Sequence, residues 1–422
     1  MYNNEEKIQR AMLIGADQGS YDAEISMNEL SELAETAGAQ VEAQILQKME
    51  SVNNATYIGS GKLQEVKQFC EQHEIDLLIF DDELTGVQIR NIEEETGVDV
   101  IDRTMLILDI FAMRARTNEG KLQVELAQQK YLMPRLIGVG KKLSRQQGGI
   151  GSRGPGESKL ESDRRHIRRR IESLEKELEE LSKQRRRVRE RRSKNNYTSI
   201  AIVGYTNVGK STLLNRLTDA GVLEKDQLFA TLDPTARELR LPDGQKAMLI
   251  DTVGLLRRLP HQLIQAFHST LEEAVEADLI LDICDVSDDG VADQIQVTEA
   301  LLGELGCGET PVITVYNKID RLEQKPDLPQ NDRTVFISAR ENEGIDRLLD
   351  CICRCLEESV CRMELLIPYS EGAVLDRIRK TGKISEERYE NEGIYLQAVV
   401  DRKMKPQLER YQAPEKPENA MN

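Results

Sequence analysis

A chain of 422 residues, 39% hydrophobic and 31% charged, has material for two to four domains with cores of their own. Its longest apolar runs, such as MLILDIFAM at 105–113, are too short to span a bilayer, and no apolar signal core follows the polar MYNNEEKIQR. Seven cysteines and four scattered histidines (His73, His166, His261, His268) predict reduced thiols in a cytoplasmic protein rather than disulfides or a metal centre, and a net charge of −17 argues, as an average, against nucleic acid.

Residues 1–115 alternate short apolar runs with amphipathic stretches. RAMLIGA, AQVEAQIL, DLLIFD and VDVID read as strands, and MNELSELAETAG, GKLQEVKQFCEQH and VQIRNIEEETG as the helices between them. Strand and helix in strict alternation predict a mainly parallel α/β domain.

Between 116 and 196 the pattern changes to long helices. Leu122, Leu126, Met133 and Leu136 mark one helix over about 119–137, with Pro134 set to end or kink it. In the next, Ile167, Ile171, Leu174, Leu178, Leu181 and Val188 form a heptad seam broken only by Arg185. The two predict an antiparallel hairpin with a glycine-rich tip at 138–158. From Lys141 to Lys194 there are 19 Lys/Arg against 9 Asp/Glu, so the acidic average hides one strongly basic element. Segregation of that kind predicts a polyanionic partner. The tip contains GIGSRG at 149–154, which fits the dinucleotide pattern G-x-G-x-x-G. However, KKLSRQQG rather than a strand precedes it and Pro155 follows, so the phosphates expected there are those of a polymer, with Arg153 as a contact.

Residues 197–360 predict a second, doubly wound α/β domain with strands at SIAIVG, ELRLP, AMLIDT, LILDICD, PVITVYN and TVFIS. Residues 361–411 predict a small α+β module with a hairpin turn at YENEG, and 412–422 a disordered tail. In CICRC only Cys351 and Cys355 would share a helical face, which does not make a metal site.

The chemistry lies in the second domain. Gly204-Tyr205-Thr206-Asn207-Val208-Gly209-Lys210-Ser211 follows the strand SIAIV and, with Thr212 next, opens the helix STLLNRL. This is G-x-x-x-x-G-K-[ST] in the setting it requires: backbone N–H groups close on phosphates, Lys210 reaches the β- and γ-phosphates, and the Ser211 hydroxyl ligates Mg²⁺. Asp251-Thr252-Val253-Gly254 ends the strand AMLI, where an Asp can hold the Mg²⁺ shell through water and a Gly amide can sense the γ-phosphate. Asn317-Lys318-Ile319-Asp320 ends PVITVY; Asp320 can accept from the guanine N1–H and 2-amino groups, which selects GTP over ATP. Ser338-Ala339-Arg340 ends the next strand and offers amides to the guanine O6. Phe229-Ala230-Thr231-Leu232-Asp233 lies between the first two motifs, with Thr231 best placed to complete the Mg²⁺ shell and Thr235 second. Lys210, Thr231 and Gly254 are the residues expected to carry catalysis.

The residue after Gly254 is Leu255, which cannot hydrogen-bond a water, so slow intrinsic turnover is expected, with the missing group coming from backbone, a partner or RNA. Arg237, Arg257 and Arg258 are candidate charge donors in cis, although exposed arginines there more often contact partners. Asn207 could help hold K⁺ at the phosphates.

Outside these motifs, YIGSGKLQEV (57–66), IFDDELTGVQIRNIEE (79–94), residues 102–136, GGIGSRGPGESKLESDRR (148–165) and DTVGLLRRLP (251–260) resemble the HflX family of ribosome-associated GTPases over about residues 5–360. Ser152, Ser158, Lys159 and Ser162 stand where that family usually has Thr, Thr, Gln and Thr. The resemblance implies a GTP-dependent monomer on the large ribosomal subunit, acting in ribosome rescue or splitting, translation under stress or ribosome biogenesis. The hairpin would then meet rRNA through Arg153, Lys159, Arg164, Arg165, Arg168 and Arg169, a basic surface with a thin tip that suits rRNA backbone on its own account. Two other readings stand beside it: a GTP-switched regulator docking proteins on the hairpin as a coiled coil, and an NTP-dependent RNA-remodelling enzyme. For the latter, YIGSGK lacks the spacing of a full phosphate loop.

Overall fold

The computed structural model describes residues 8–19, 22–136, 155–194, 198–218, 229, 235–252, 254–258, 275–288, 290–308, 310–322, 328–401 and 404–413; side chains of the long helix are described from 161 to 185. Contacts divide the chain into two compact units. One comprises Met1–Leu181 with Glu224–Asp233 and Val253–Thr270, the other Ser182–Leu223 with Pro234–Thr252 and Leu271–Asn422.

In the first unit, β1 (Arg10–Asp17), β2 (Gln40–Lys48), β3 (Leu77–Phe80) and β4 (Asp99–Asp102) form a parallel sheet in the order β2-β1-β3-β4. Helices α1 (Ala23–Thr36), α2 (Ser60–His73) and α3 (Gly86–Thr96) connect them. Apolar runs in β1 and β3 make central strands buried on both faces, as parallel sheets require. Met12, Ile14, Tyr57, Val66, Leu78, Phe80 and Ile92 build one core. Local chemistry fixes the helix ends: the Asp22 side chain accepts from the amides of Glu24 and Ile25, and Thr85 with Gln88 forms a capping box.

MLILDIFAM has no amphipathic period because it is a buried helix, α4 (Arg103–Arg114), in which Leu106, Ile107, Leu108, Ile110 and Phe111 are all buried. Helix α5 (Asn118–Arg135) contains Pro134 and ends one residue after it. Its last residue ties it to the sheet: Arg135 Nε donates to Leu84 O (3.0 Å) while the guanidinium lies over the Tyr131 ring. Gly86 permits this approach, since a Cβ there would meet the Arg135 carbonyl at 2.7 Å.

Helix α6 (Pro155–Lys194) opens with proline, whose missing N–H costs nothing at a first helical position, and its 40 residues make it about 60 Å long. The heptad seam packs on α5: Leu122 and Leu126 bury Ile171 and Leu174, flanked by Met133, Ile167, Leu178 and Leu181. Arg170 grips Glu125 with both nitrogens (2.6 and 2.7 Å), and Lys130 pairs with Glu175 at 2.8 Å. Arg153 and most of the tip, the second half of the seam at Val188, and the side chain of Lys159 lie outside the described residues.

The second unit holds a six-stranded sheet in the order β10-β9-β8-β5-β7-β6, from β5 (Thr198–Gly204), β6 (Thr235–Arg240), β7 (Lys246–Asp251), β8 (Leu279–Asp285), β9 (Val312–Asn317) and β10 (Thr334–Phe336). Only β6, an edge strand, runs antiparallel. Helices α7 (Lys210–Thr218), α8 (Val291–Glu304) and α9 (Ile345–Ser359) belong to this layer. A separate antiparallel sheet follows, with β11 (Val360–Ile367), β12 (Lys383–Glu390) and β13 (Gly393–Asp401) in the order β11-β13-β12. Helix α10 (Gly372–Thr381) covers it with Leu375 and Ile378, joined by Met404, Leu408 and Tyr411. Among the described residues, no helix is long and apolar enough to cross a membrane.

Candidate functional site

The strand order of the second sheet reverses at β5, whose neighbours β7 and β8 lead to opposite sides; ligands in open α/β sheets bind at the carboxyl end of such a strand. There the chain turns through Gly204 (φ +139°), Asn207 (φ +61°) and Gly209 (φ +96°) before α7 begins at Lys210. Both glycines are required. A Cβ on Gly204 would run into the Ile283 carbonyl, and one on Gly209 into the Asn317 side-chain amide. Thr206 is buried within the loop, and its hydroxyl has no hydrogen-bond partner among the described residues.

Lys210 is buried and curls back over the loop, donating from Nζ to the carbonyls of Gly204 (3.1 Å) and Tyr205 (2.5 Å). Burial pulls its ammonium down to about 8, against the attraction of Asp251 and Asp282, which pulls the other way. Ser211 Oγ donates to Asp251 Oδ2 at 3.2 Å. A hydroxyl and a carboxylate so close, beside a lysine and a helix N-terminus, form a hard-oxygen donor set that fits Mg²⁺ bound by the hydroxyl directly and by the carboxylate through water. Thr252 turns the chain, its hydroxyl and amide both donating to Ile202 O (2.7 and 3.2 Å). Thr235, the weaker of the two threonine candidates, is a strand residue paired with Asp251. Ala230, Thr231, Leu232, Asp233 and Val253 lie outside the described residues; Phe229, Gly254 and Leu255 are buried.

At the ends of β9 and β10 the remaining motifs meet the loop. Asn317 donates from Nδ2 to Val208 O (2.8 Å) and accepts at Oδ1 from the Ala339 amide (3.0 Å), so one side chain joins all three segments. Lys318, with φ +67°, reaches back to Asn207 O (2.7 Å) and pairs with Asp285 (2.6 Å). Ile319 packs inward against the cluster of Cys284, Val286, Val291 and Tyr316. The buried Ser338 hydroxyl donates to Asp320 Oδ1 (2.6 Å) and accepts from the Glu341 amide (3.1 Å), which fixes the carboxylate that would read a purine's N–H groups.

Two residues of this site had no place in the motifs. Arg216, one turn and a half along α7, donates to the carbonyls of Ala339 (3.1 Å) and Arg340 (2.7 Å) and anchors the Ser338–Arg340 turn. Asp282 interrupts the apolar strand β8 and is buried; burial first, and Glu299 second, push its carboxyl up to about 7, and its Oδ1 has no hydrogen-bond partner among the described residues. The first offers no local signal, whereas the second is visible as a charge inside the apolar run LILDIC.

Two of the three candidate charge donors are seen engaged elsewhere. Arg237 donates to Ala236 O, and the Arg258 guanidinium pairs with Asp81 (2.8 Å) and Asp82. Leu255 and Leu256 are buried, so the side chain after Gly254 offers no polar group.

Three family models match the chain in sequence: one described as GTP-binding GTPase N-terminal over residues 24–112, one as GTP-binding GTPase middle region over 114–192, and one as 50S ribosome-binding GTPase over 199–318. Curated relatives named GTPase HflX include that of Caldanaerobacter subterraneus subsp. tengcongensis, 52% identical over 96% of this chain and 94% of its own. That of Lacrimispora saccharolytica is 47% identical over 93% of each chain, and that of Escherichia coli K12 is 41% identical over 87% of each.

Proposed function

The chain belongs to the HflX family of GTPases and hydrolyses GTP, and from that premise we propose that it does so on the large ribosomal subunit, held there by the outer face of α6. In this reading Gly204–Thr212 hold the phosphates, and Phe229–Asp233 contribute to the same nucleotide site. Asn317–Asp320 and Ser338–Arg340 hold the guanine. Ser211, Thr231 and, through water, Asp251 would hold Mg²⁺, which would supply charge neutralisation at the β- and γ-phosphates. Lys210 has to leave the loop carbonyls for the phosphate oxygens, which is a short swing of one flexible side chain. Gly254 meets the γ-phosphate with its amide, and the backbone around Leu255 orients the attacking water.

One observation carries the ribosome reading. Arg165, Arg168 and Arg169 are exposed and Arg164 half-buried, on a helix whose apolar seam is already covered by α5. Four arginines within six residues repel one another unless a polyanion screens them. The covered seam also weighs against the coiled-coil docking alternative, because Ile171 and Leu174 are not available to a partner. A cytoplasmic monomer that frees or helps assemble ribosomes fits this reading.

Co-sedimentation with purified large subunits tests it. The expected result is pelleting with a non-hydrolysable GTP analogue, weaker pelleting with GDP, a steep fall in affinity with salt, and loss of binding on charge reversal at Arg164, Arg165, Arg168 and Arg169 with GTP hydrolysis intact. Absence from the pellet in both nucleotide states would sink it.

A further inference from the structure

Base recognition at the ends of β9 and β10 rests on a tight turn. Strand β10 is three residues long, and the chain beyond it passes through two left-handed positions, Asn342 (φ +60°) and Gly344 (φ +73°), before α9 begins at Ile345. A Cβ on Gly344 would run into the Phe336 carbonyl, so the turn closes back on its own strand. Ser338 and Glu343 bond amide to carbonyl in both directions (3.0 Å each).

The turn is gripped a second time, from α7. Arg216 Nε donates to Ala339 O (3.1 Å) and its Nη2 to Arg340 O (2.7 Å), so one guanidinium holds two successive carbonyls. Its side chain is exposed, yet among the described residues it pairs with no carboxylate. A trans peptide holds its C=O and N–H pointing opposite ways. Fixing the Ala339 carbonyl against α7 therefore turns the Arg340 amide away from that helix. The amides on either side are engaged already: Ala339 N donates to Asn317 Oδ1 (3.0 Å) and Glu341 N to Ser338 Oγ (3.1 Å). Arg340 N has no acceptor among the described residues, which leaves it as the donor of this turn for a ligand.

Arg216 stands six residues after Lys210, so one helix carries the phosphate lysine at its start and the grip on the base turn about 9 Å along its axis. We propose that Arg216 is a positioning residue for guanine: by holding the carbonyls of Ala339 and Arg340 it aims the Arg340 amide at the base O6, and so slows release of the nucleotide. It acts through the turn and contacts no atom of the base. The inference rests on the reading that Asn317–Asp320 and Ser338–Arg340 hold the guanine. Asp320 reads the N1–H and 2-amino groups and the turn reads O6, so base analogues separate the two contributions.

The test is the dissociation constant and off-rate of three diphosphates on full-length wild type, Arg216→Ala and Arg216→Lys. The three are GDP, inosine diphosphate, which keeps O6 and lacks the 2-amino group, and 2-aminopurine riboside 5′-diphosphate, which lacks O6. Arg216→Ala is expected to weaken GDP and inosine diphosphate alike by about tenfold, chiefly through a faster off-rate, and the 2-aminopurine analogue by less than about twofold. Arg216→Lys should recover part of the loss, and GTP hydrolysis by Arg216→Ala should show a raised KM at unchanged kcat. Unchanged GDP affinity in Arg216→Ala would overturn the proposal. So would an equal loss for GDP and the 2-aminopurine analogue, which would mark a merely structural contact. Wild type holding ADP as tightly as GDP would instead sink the guanine reading beneath it, a comparison that involves no Arg216 variant.

Discussion

The two parallel sheets have the same plan and opposite chemistry. Each reverses its strand order at its first strand, β1 or β5, and each places a crevice at that strand's carboxyl end. After β5 the turn carries Gly204, Gly209 and a lysine, and its amides and cation suit an anion. After β3, the neighbour of β1, stand two aspartates that receive a cation, Arg258. The N-terminal unit has a glycine turn of its own at Gly59-Ser60-Gly61-Lys62. Here the Gly59 amide is spent on Gln47 (3.1 Å) and Lys62 pairs with Glu65 on its own helix (2.5 Å). Topology sets where a ligand can sit, and a handful of turn residues decide its charge.

Substitutions can break this contrast, and the largest effects belong to the anion crevice. Lys210→Ala should weaken GTP binding by about a hundredfold or more, because a buried cation facing phosphates is lost. Asp320→Ala should cost a similar factor for GTP, measured by titration, while abolishing discrimination between guanine and adenine nucleotides.

A pH titration sharpens the comparison. Because burial pulls the Lys210 ammonium down to about 8, GTP affinity should fall as pH rises from 7 to 9. Binding that stayed flat over this window would show that the Lys210 ammonium is not lowered into it. Hydrolysis rates compared in potassium and sodium buffers probe Asn207 in the same loop; potassium is expected to be the faster, and equal rates would remove the cation from the site.

The smallest effect lies beneath the loop. The Asp282 carboxyl loses its proton near 3.8 in an unfolded chain and near 7 in the fold, so ionisation disfavours the fold progressively as pH rises through that interval. Asp282→Asn should therefore raise the Tm at pH 8 by roughly 5 °C, with the gain shrinking as pH falls toward 4. A Tm gain independent of pH would show that Asp282 is not the titrating group.

Much of this was legible in the sequence. The central strands β1, β3, β5 and β8 carry apolar runs, and the phosphate loop and the Asn317 and Ser338 motifs stand at strand ends where their chemistry requires them. MLILDIFAM was not legible as a helix, because a helix buried along most of its length, with apolar Ala112 and Met113 at its exposed end, has no polar face to give it a period. The Arg258–Asp81 pair spans 177 residues and Arg216–Ala339 spans 123; contacts of that separation leave no local pattern, and an arginine reads alike whether it meets RNA, phosphate or its own chain. The seam of α6 was readable as a heptad, and it packs on α5, the helix with which the sequence paired it in a hairpin.

The most direct measurement is a stoichiometric titration of GDP into wild type, Lys210→Ala and Arg258→Ala, with single-turnover hydrolysis on the same preparations. One GDP per chain is expected in wild type and in Arg258→Ala and no tight binding in Lys210→Ala, with hydrolysis slowed in Lys210→Ala. Full GDP binding by Lys210→Ala would contradict the assignment of the nucleotide to the crevice after β5.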